Sequence, residues 1–228
     1  MGESPKDVVG DPEPPPVGET KPPEAVGTPE PSPSPGPIPT PVPSPTPKEV
    51  KDCLTYTGNI STAADLTTVP HGVCKIIGDV VFIGINFTDE DITKNLPKLN
   101  SLKYIEGTVG IIKTNLTNLH FFQNVLMIGK DLNLKGNTDL KTLDGLASLN
   151  VIQKSLYIIG NKSLDNIDAL YGLKFVGAEA HDGSAAVIIS GNQSLEETAL
   201  NEFTEFLDTH LNLSSAGGTM EFYPNKAD

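Results

Sequence analysis

Few side chains in this sequence carry reactive chemistry, and their spacing decides what that chemistry can be. Cys53 and Cys74 are the only two cysteines. A pair flanking a short segment reads as one disulfide more readily than as a metal site, with two unrelated buried thiols as the other reading. A loop of about 20 residues closed this way is worth on the order of 3 kcal/mol in the chain-entropy model. Six N-x-Ser/Thr sequons, at Asn59, Asn86, Asn115, Asn161, Asn192 and Asn212, offer N-glycosylation. Ordinary Ser and Thr usage would give a chain with 16 Asn about two of them. Together the two features point to an oxidising, glycosylating route and an extracellular address. His71, His120, His181 and His210 share no metal-ligand spacing, so no metal is expected. No phosphate loop, nucleophile elbow or zinc signature occurs, and no cofactor is expected.

Of the 20 prolines in the 228 residues, 17 lie in the first fifty. That stretch has too little to bury to offset its ordering entropy, so residues 1–51 are expected to be disordered or polyproline-like. Residues 52–228 are then the folded domain. Net charge is −13, of which the first 52 residues hold −5 (nine acids against four Lys). No Lys/Arg cluster is present to neutralise a phosphate backbone, which excludes nucleic acid as an expected partner. No apolar run approaches the roughly 20 residues of a membrane span. Met1-Gly2-Glu3-Ser4-Pro5-Lys6 has no hydrophobic core of a signal peptide, and Lys6 departs from the myristoylation pattern.

The folded part repeats itself. Ile76-Ile77-Gly78-Asp79-Val80-Val81-Phe82 returns as Ile105-Glu106-Gly107-Thr108-Val109-Gly110-Ile111, as Ile128-Gly129-Lys130-Asp131-Leu132-Asn133-Leu134 and as Ile152-Gln153-Lys154-Ser155-Leu156-Tyr157-Ile158. The starts lie 29, 23 and 24 residues apart, a solenoid period. A degraded copy runs through Val187-Ile188-Ile189 after a Gly- and Ala-rich insertion, 177–186. Alternation within each phrase predicts a strand with one inward face. Apolar residues then follow every third position, as in Leu140, Leu143, Leu146 and Leu149 after Asn137, or Leu164, Ile167, Leu170 and Leu173 after Asn161. That spacing fits a coil turning corners better than a free helix, with Asn stabilising a corner. No single coil buries its apolar edge; stacking does so. The reading is a β-solenoid, a right-handed parallel β-helix of about five rungs. Short helices from Ser61 and over Glu196 to Leu211, the latter with Ala199, Phe203, Phe206 and Leu207 on one face, would cap its ends.

The run from Cys53 through Cys74-Lys75-Ile76-Ile77-Gly78-Asp79-Val80-Val81-Phe82, repeated over several rungs, resembles the opening of the receptor L domains of insulin-receptor and EGF-receptor ectodomains. The likeness spans roughly Cys53 to Tyr223, and it extends to the secreted single-L-domain proteins of nematodes. It implies a right-handed β-helix and, in receptors, a peptide ligand bound across one sheet face. The leucine-rich-repeat pattern also overlaps Leu132-x-Leu134-x-x-Asn137, but the next Leu falls three residues after the Asn instead of two. The sequence shows no cysteine-rich module, second L domain, membrane span or kinase, so signalling by this chain alone is not expected.

Alternation turns Val80, Phe82, Val109, Ile111, Leu132, Leu134, Leu156, Ile158, Val187 and Ile189 inward. It turns Val81, Ile83, Gly110, Ile112, Asn133, Lys135, Tyr157, Ile159, Ile188 and Ser190 outward. A solvated face would be polar, yet Val81, Ile83, Ile112, Tyr157, Ile159 and Ile188 are large and apolar. Stacked about 4.8 Å apart they would form a contiguous patch of the kind that marks an interaction site. The expected ligand face is therefore Val81, Ile83, Ile112, Asn133, Lys135, Tyr157, Ile159 and Ile188, with Tyr157 as anchor. Self-association or internal cover are the other occupants of such a face. Asp79 and Asp131 share a row about 9.6 Å apart, the far edge for an inverting carboxylate pair. Thr108 lies between them with no His, Lys or Arg in the intervening phrase Ile105 to Ile111, so no catalytic residue is expected. The function expected is capture of an extracellular protein or peptide, as a decoy or carrier. The alternative is a structural surface or matrix glycoprotein with an O-glycosylated stalk. Asn115, Asn161 and Asn192 coincide with the repeat corner and would carry no sugar if they formed a buried ladder.

Overall fold

The computed structural model describes residues 53–177, 187–211 and 220–222. The segment 1–51, most of the Gly/Ala insertion and Asn212 lie outside the described residues. Each repeat phrase forms two short strands where alternation alone predicts one. The strand before the Gly belongs to a first sheet and the strand after it to a second. The first sheet is β1 (Leu54–Thr57), β2 (Val73–Ile77), β4 (Tyr104–Ile105), β6 (Met127–Ile128), β8 (Val151–Ile152) and β10 (Phe175–Val176), parallel and in that order. The second is β3 (Val80–Ile83), β5 (Val109–Ile112), β7 (Leu132–Lys135), β9 (Leu156–Ile159), β11 (Val187–Ser190) and β12 (Met220–Phe222), also parallel.

The bend between the sheets has a steric cause. A side chain placed at Gly129 would run into the carbonyl of Glu106 on the preceding rung. Backbones therefore approach there more closely than any Cβ allows, and the chain turns before the second strand begins. Carboxylates hold the same corner together. Asp79 Oδ1 accepts the Thr108 N–H at 2.8 Å, and Asp131 Oδ1 accepts that of Ser155 at 3.1 Å. Asp79 also lies 3.8 Å from Lys130 Nζ.

Inward rows from both sheets meet in one apolar core. Ile76, Ile105, Ile128, Ile152 and Val176 stack in register from the first sheet. Val80, Val109, Leu132, Leu156 and Val187 do so from the second. The remaining side is built of turns, including 3₁₀ segments at His120–Phe122, Asp144–Leu146 and Asp168–Gly172. Leu140, Leu143, Leu146 and Leu149 are all fully buried there, as the three-residue spacing predicts.

The far corner is a buried amide ladder. Asn137 Nδ2 donates to the Ile111 carbonyl at 2.8 Å and Asn161 Nδ2 to that of Leu134 at 2.9 Å. Asn192 Nδ2 donates to the Ile158 carbonyl at 2.9 Å. Asn161 Oδ1 accepts the Asn137 N–H at 3.1 Å, and Asn192 Oδ1 accepts that of Asn161 at 3.0 Å. The three side chains are inaccessible to solvent, so each must find partners inside.

Both expected caps are present. In α1 (Ala63–Thr68), Thr62 and Asp65 form a reciprocal capping box. The Ser61 and Thr62 N–H groups donate to the Asp65 carboxylate and hold its pKa below the ordinary value. The Cys53–Cys74 disulfide joins the chain just before β1 to β2, with Cα atoms 5.5 Å apart. At the other end, α2 (Glu197–Leu211) buries Leu200, Phe203 and Leu207. Leu200 takes a place on that face beside Ala199 and Phe206, which are only partly buried.

Candidate ligand-binding face

The ten residues read as inward on the second sheet are buried, and their alternates form its outer surface. Two outward rows result. One is Val81, Gly110, Asn133, Tyr157 and Ile188; the other is Ile83, Ile112, Lys135, Ile159 and Ser190. Ile83 is 62% exposed, and Val81, Ile112, Asn133, Lys135, Tyr157, Ile159 and Ile188 are half-buried.

Composition divides this face. Val81, Ile83 and Ile112 make one apolar half on β3 and β5, and Tyr157, Ile159 and Ile188 make another on β9 and β11. Asn133 and Lys135 on β7 stand between them. Lys135 Nζ lies 4.4 Å from the Tyr157 ring centroid, so its cation rests on the aromatic face and its stem spans the gap. Gly110 leaves a slot that Val81 fills: a Cβ there would meet Val81 Cγ1 at 2.9 Å. The face is thus low and smooth at β5 and carries its one ring at β9.

The first sheet presents a surface that repeat reading missed. Its outward row is Lys75, Tyr104, Met127, Val151 and Phe175. Met127 and Val151 are only 6% and 8% exposed, so this row closes over itself. The signal was present in sequence, since a bulky residue precedes the inward Ile or Val on four rungs. Alternation alone masks it, because a phrase taken as one strand has no bend at its Gly. A recess of about 150 Å³ lies on the turn side, lined by Ile92, Leu96, Pro97, Leu116, His120 and Phe121 among others.

Asp79 and Asp131 both face the next rung's backbone amides, which gives them a structural task. His71 and His120 are exposed, and His210 stacks on Phe206 at 4.9 Å; His181 lies outside the described residues. Among the described residues no three or more His, Cys, Asp or Glu gather in a metal-holding group. No described helix is long and apolar enough to cross a membrane.

Of the sequons, Asn59 and Asn86 are exposed, although Asn59 Oδ1 accepts the Asp79 N–H at 2.9 Å. Asn115 is half-buried and exchanges two hydrogen bonds with the Phe87 backbone. Asn161 and Asn192 belong to the buried ladder.

Residues 73–140 match the family model described as Receptor L domain, a stretch running from β2 through the third-side turn after β7. A comparison with curated proteins finds no match.

Proposed function

We propose, for a chain whose residues 73–140 match the Receptor L domain model, an extracellular, non-catalytic module that captures a protein or peptide on the second sheet's outer face. The observation carrying this is the half-open apolar surface of Val81, Ile83, Ile112, Tyr157, Ile159 and Ile188, with Lys135 laid over Tyr157. Solvated sheet faces are polar, so apolar side chains kept there gain most when a partner covers them. In use the module acts as a decoy or carrier, released from its cell. The disulfide supports that address, because such bonds persist in oxidising compartments. The right-handed winding and the count of about five rungs belong to the same reading. So does the division into a spacer, 1–51, and a domain, 52–228.

Glycans in this reading sit on Asn59, Asn86 and Asn212. Burial of Asn161 and Asn192 supports their exclusion, since a sugar on either Nδ2 would have to enter the core. Tyr157 is the anchor. The experiment is affinity capture from extracellular fluid with the full chain, beside a Tyr157→Arg/Ile159→Arg variant of equal melting temperature. A bound protein held by the parent and lost by the variant supports the reading. Equal capture by both moves the site off this face and favours the structural-glycoprotein alternative.

A further inference from the structure

We infer that Lys113 and Lys135 form a carboxylate-recognising corner of the second sheet, so that the ligand is a polypeptide segment with an acidic side chain beside apolar ones. This rests on the reading of that face as the binding surface. Four of the five rungs leave the sheet through glycine in the left-handed region: Gly84 (φ 66°), Gly136 (67°), Gly160 (68°) and Gly191 (65°). The fifth uses Lys113 at φ 52°, the one positive-φ residue with a side chain among the described residues. Glycine adopts this conformation without strain, whereas a Cβ is crowded in it. A lysine there weakens the fold locally, which directs attention to what its amine does.

The charge pattern gives the answer. Segments 80–86, 109–115, 132–138, 156–162 and 187–193 cover the five strands and their corners, and their only charged residues are Lys113, Lys135 and Lys162. No acid occurs among them, in a chain of net charge −13. Glu221 lies outside them on β12, its backbone in register with Ile188 and three strands from β7. Lys113 follows Ile112, which pairs with Lys135 on the next strand. Its stem leans across Gly136: a Cβ built at Gly136 would lie 3.3 Å from Lys113 Cγ. The ion pairs of the described residues are Lys75–Glu106, Lys94–Glu90 and Lys130–Asp79, so neither Lys113 nor Lys135 is neutralised within them. Lys113 leans over Gly136 from the β5 side while Lys135 Nζ reaches Tyr157 on β9, so an anion seated over the end of β7 gains from both cations. Ile112 and Ile159 flank the site, so the anion should arrive on an apolar segment. The acidic remainder of the chain disfavours a polyanion such as nucleic acid.

The test uses fluorescence anisotropy with the full chain and two short peptides of identical leucine content, one bearing Glu and the other Gln. The Glu peptide should bind about tenfold tighter at low ionic strength, an advantage that shrinks as salt is added. Lys113→Gln should weaken the Glu peptide about threefold to fivefold and leave the Gln peptide unchanged. Lys113→Gly should weaken it equally while raising Tm by about 1–3 °C, because the corner is relieved. Opposite signs in binding and stability separate recognition from a structural role. Equal affinity for both peptides, abolished alike by Tyr157→Arg/Ile159→Arg, would overturn the corner and leave the face standing. Binding of neither peptide, or binding indifferent to that double variant, would overturn both. A concentration-dependent dimer that competes with the Glu peptide would assign the corner to a second copy and overturn the inference.

Discussion

The two sheets of this solenoid share a core and a parallel register, yet their outer faces behave differently. On the first sheet, β4, β6, β8 and β10 are two residues long, and each offers one outward side chain. Tyr104, Met127, Val151 and Phe175 stack into a single row whose middle members are almost sealed. On the second sheet the four-residue strands offer two rows, and Ile83 remains 62% exposed. Strand length therefore decides whether apolar surface packs against itself or stays open to a partner. A narrow strip between two corners can close, and a wide one cannot.

The largest way to break this arrangement is at the ladder that edges the second sheet. Asn161→Ala strands the Asn137 N–H in the core and takes from the Leu134 carbonyl the side-chain donor it has beside the β7–β9 ladder. The expected loss is about 3–5 kcal/mol, read from urea unfolding, because buried polar groups without partners each carry a desolvation cost. A loss near zero would mean that water enters the corner. Opening the Cys53–Cys74 bond should cost about 3 kcal/mol by closing-loop entropy. Hydrogen exchange should then rise first in β1, at the edge of the first sheet, and little in β9.

Much of this was legible in the residues themselves. The alternation of Val80 with Val81, or Leu156 with Tyr157, fixes which side chain faces the core whatever the handedness of the coil. The leucine spacing after Asn137 announces the buried turn side. What could not be read is where a phrase bends, because the corner at Gly129 exists only against the Glu106 carbonyl of the rung beneath. The first sheet's outer row was lost for that reason. Lys113 stands at the same place after its phrase as Gly84, Gly136 and Gly160 do after theirs, so the substitution is legible in the repeat; the left-handed backbone at that place is not. For the sequons the motif is local while burial is not: Asn59 and Asn161 have the same tripeptide pattern and opposite exposure.

A direct contrast sharpens the comparison of faces. Met127→Arg on the first sheet should cost about 1–3 kcal/mol, as it forces a charge into a closed row. Ile83→Arg on the second should change stability by less than about 0.5 kcal/mol. Equal costs would dissolve the distinction between a sealed and an open face. The smallest effect concerns the α1 cap. Asp65 has its pKa lowered by the N–H groups of Ser61 and Thr62, so it favours the folded state above the unfolded carboxylate value near 3.8. That contribution is lost as pH falls through the lower, folded pKa. Asp65→Asn should therefore flatten the acid limb of a Tm–pH curve slightly, and an unaltered limb would remove the cap from the account.

The central claim is that the second sheet's outer face holds the ligand. The most direct measurement is a methyl NMR titration of the full chain, labelled at Ile and Met, with the protein recovered by capture. Ile83, Ile112, Ile159 and Ile188 report on the second sheet, and Ile77 and Met127 on the first. The account predicts shifts at the first four with Ile77 and Met127 unmoved. Shifts confined to Ile77 and Met127 would contradict it and give the binding face to the first sheet.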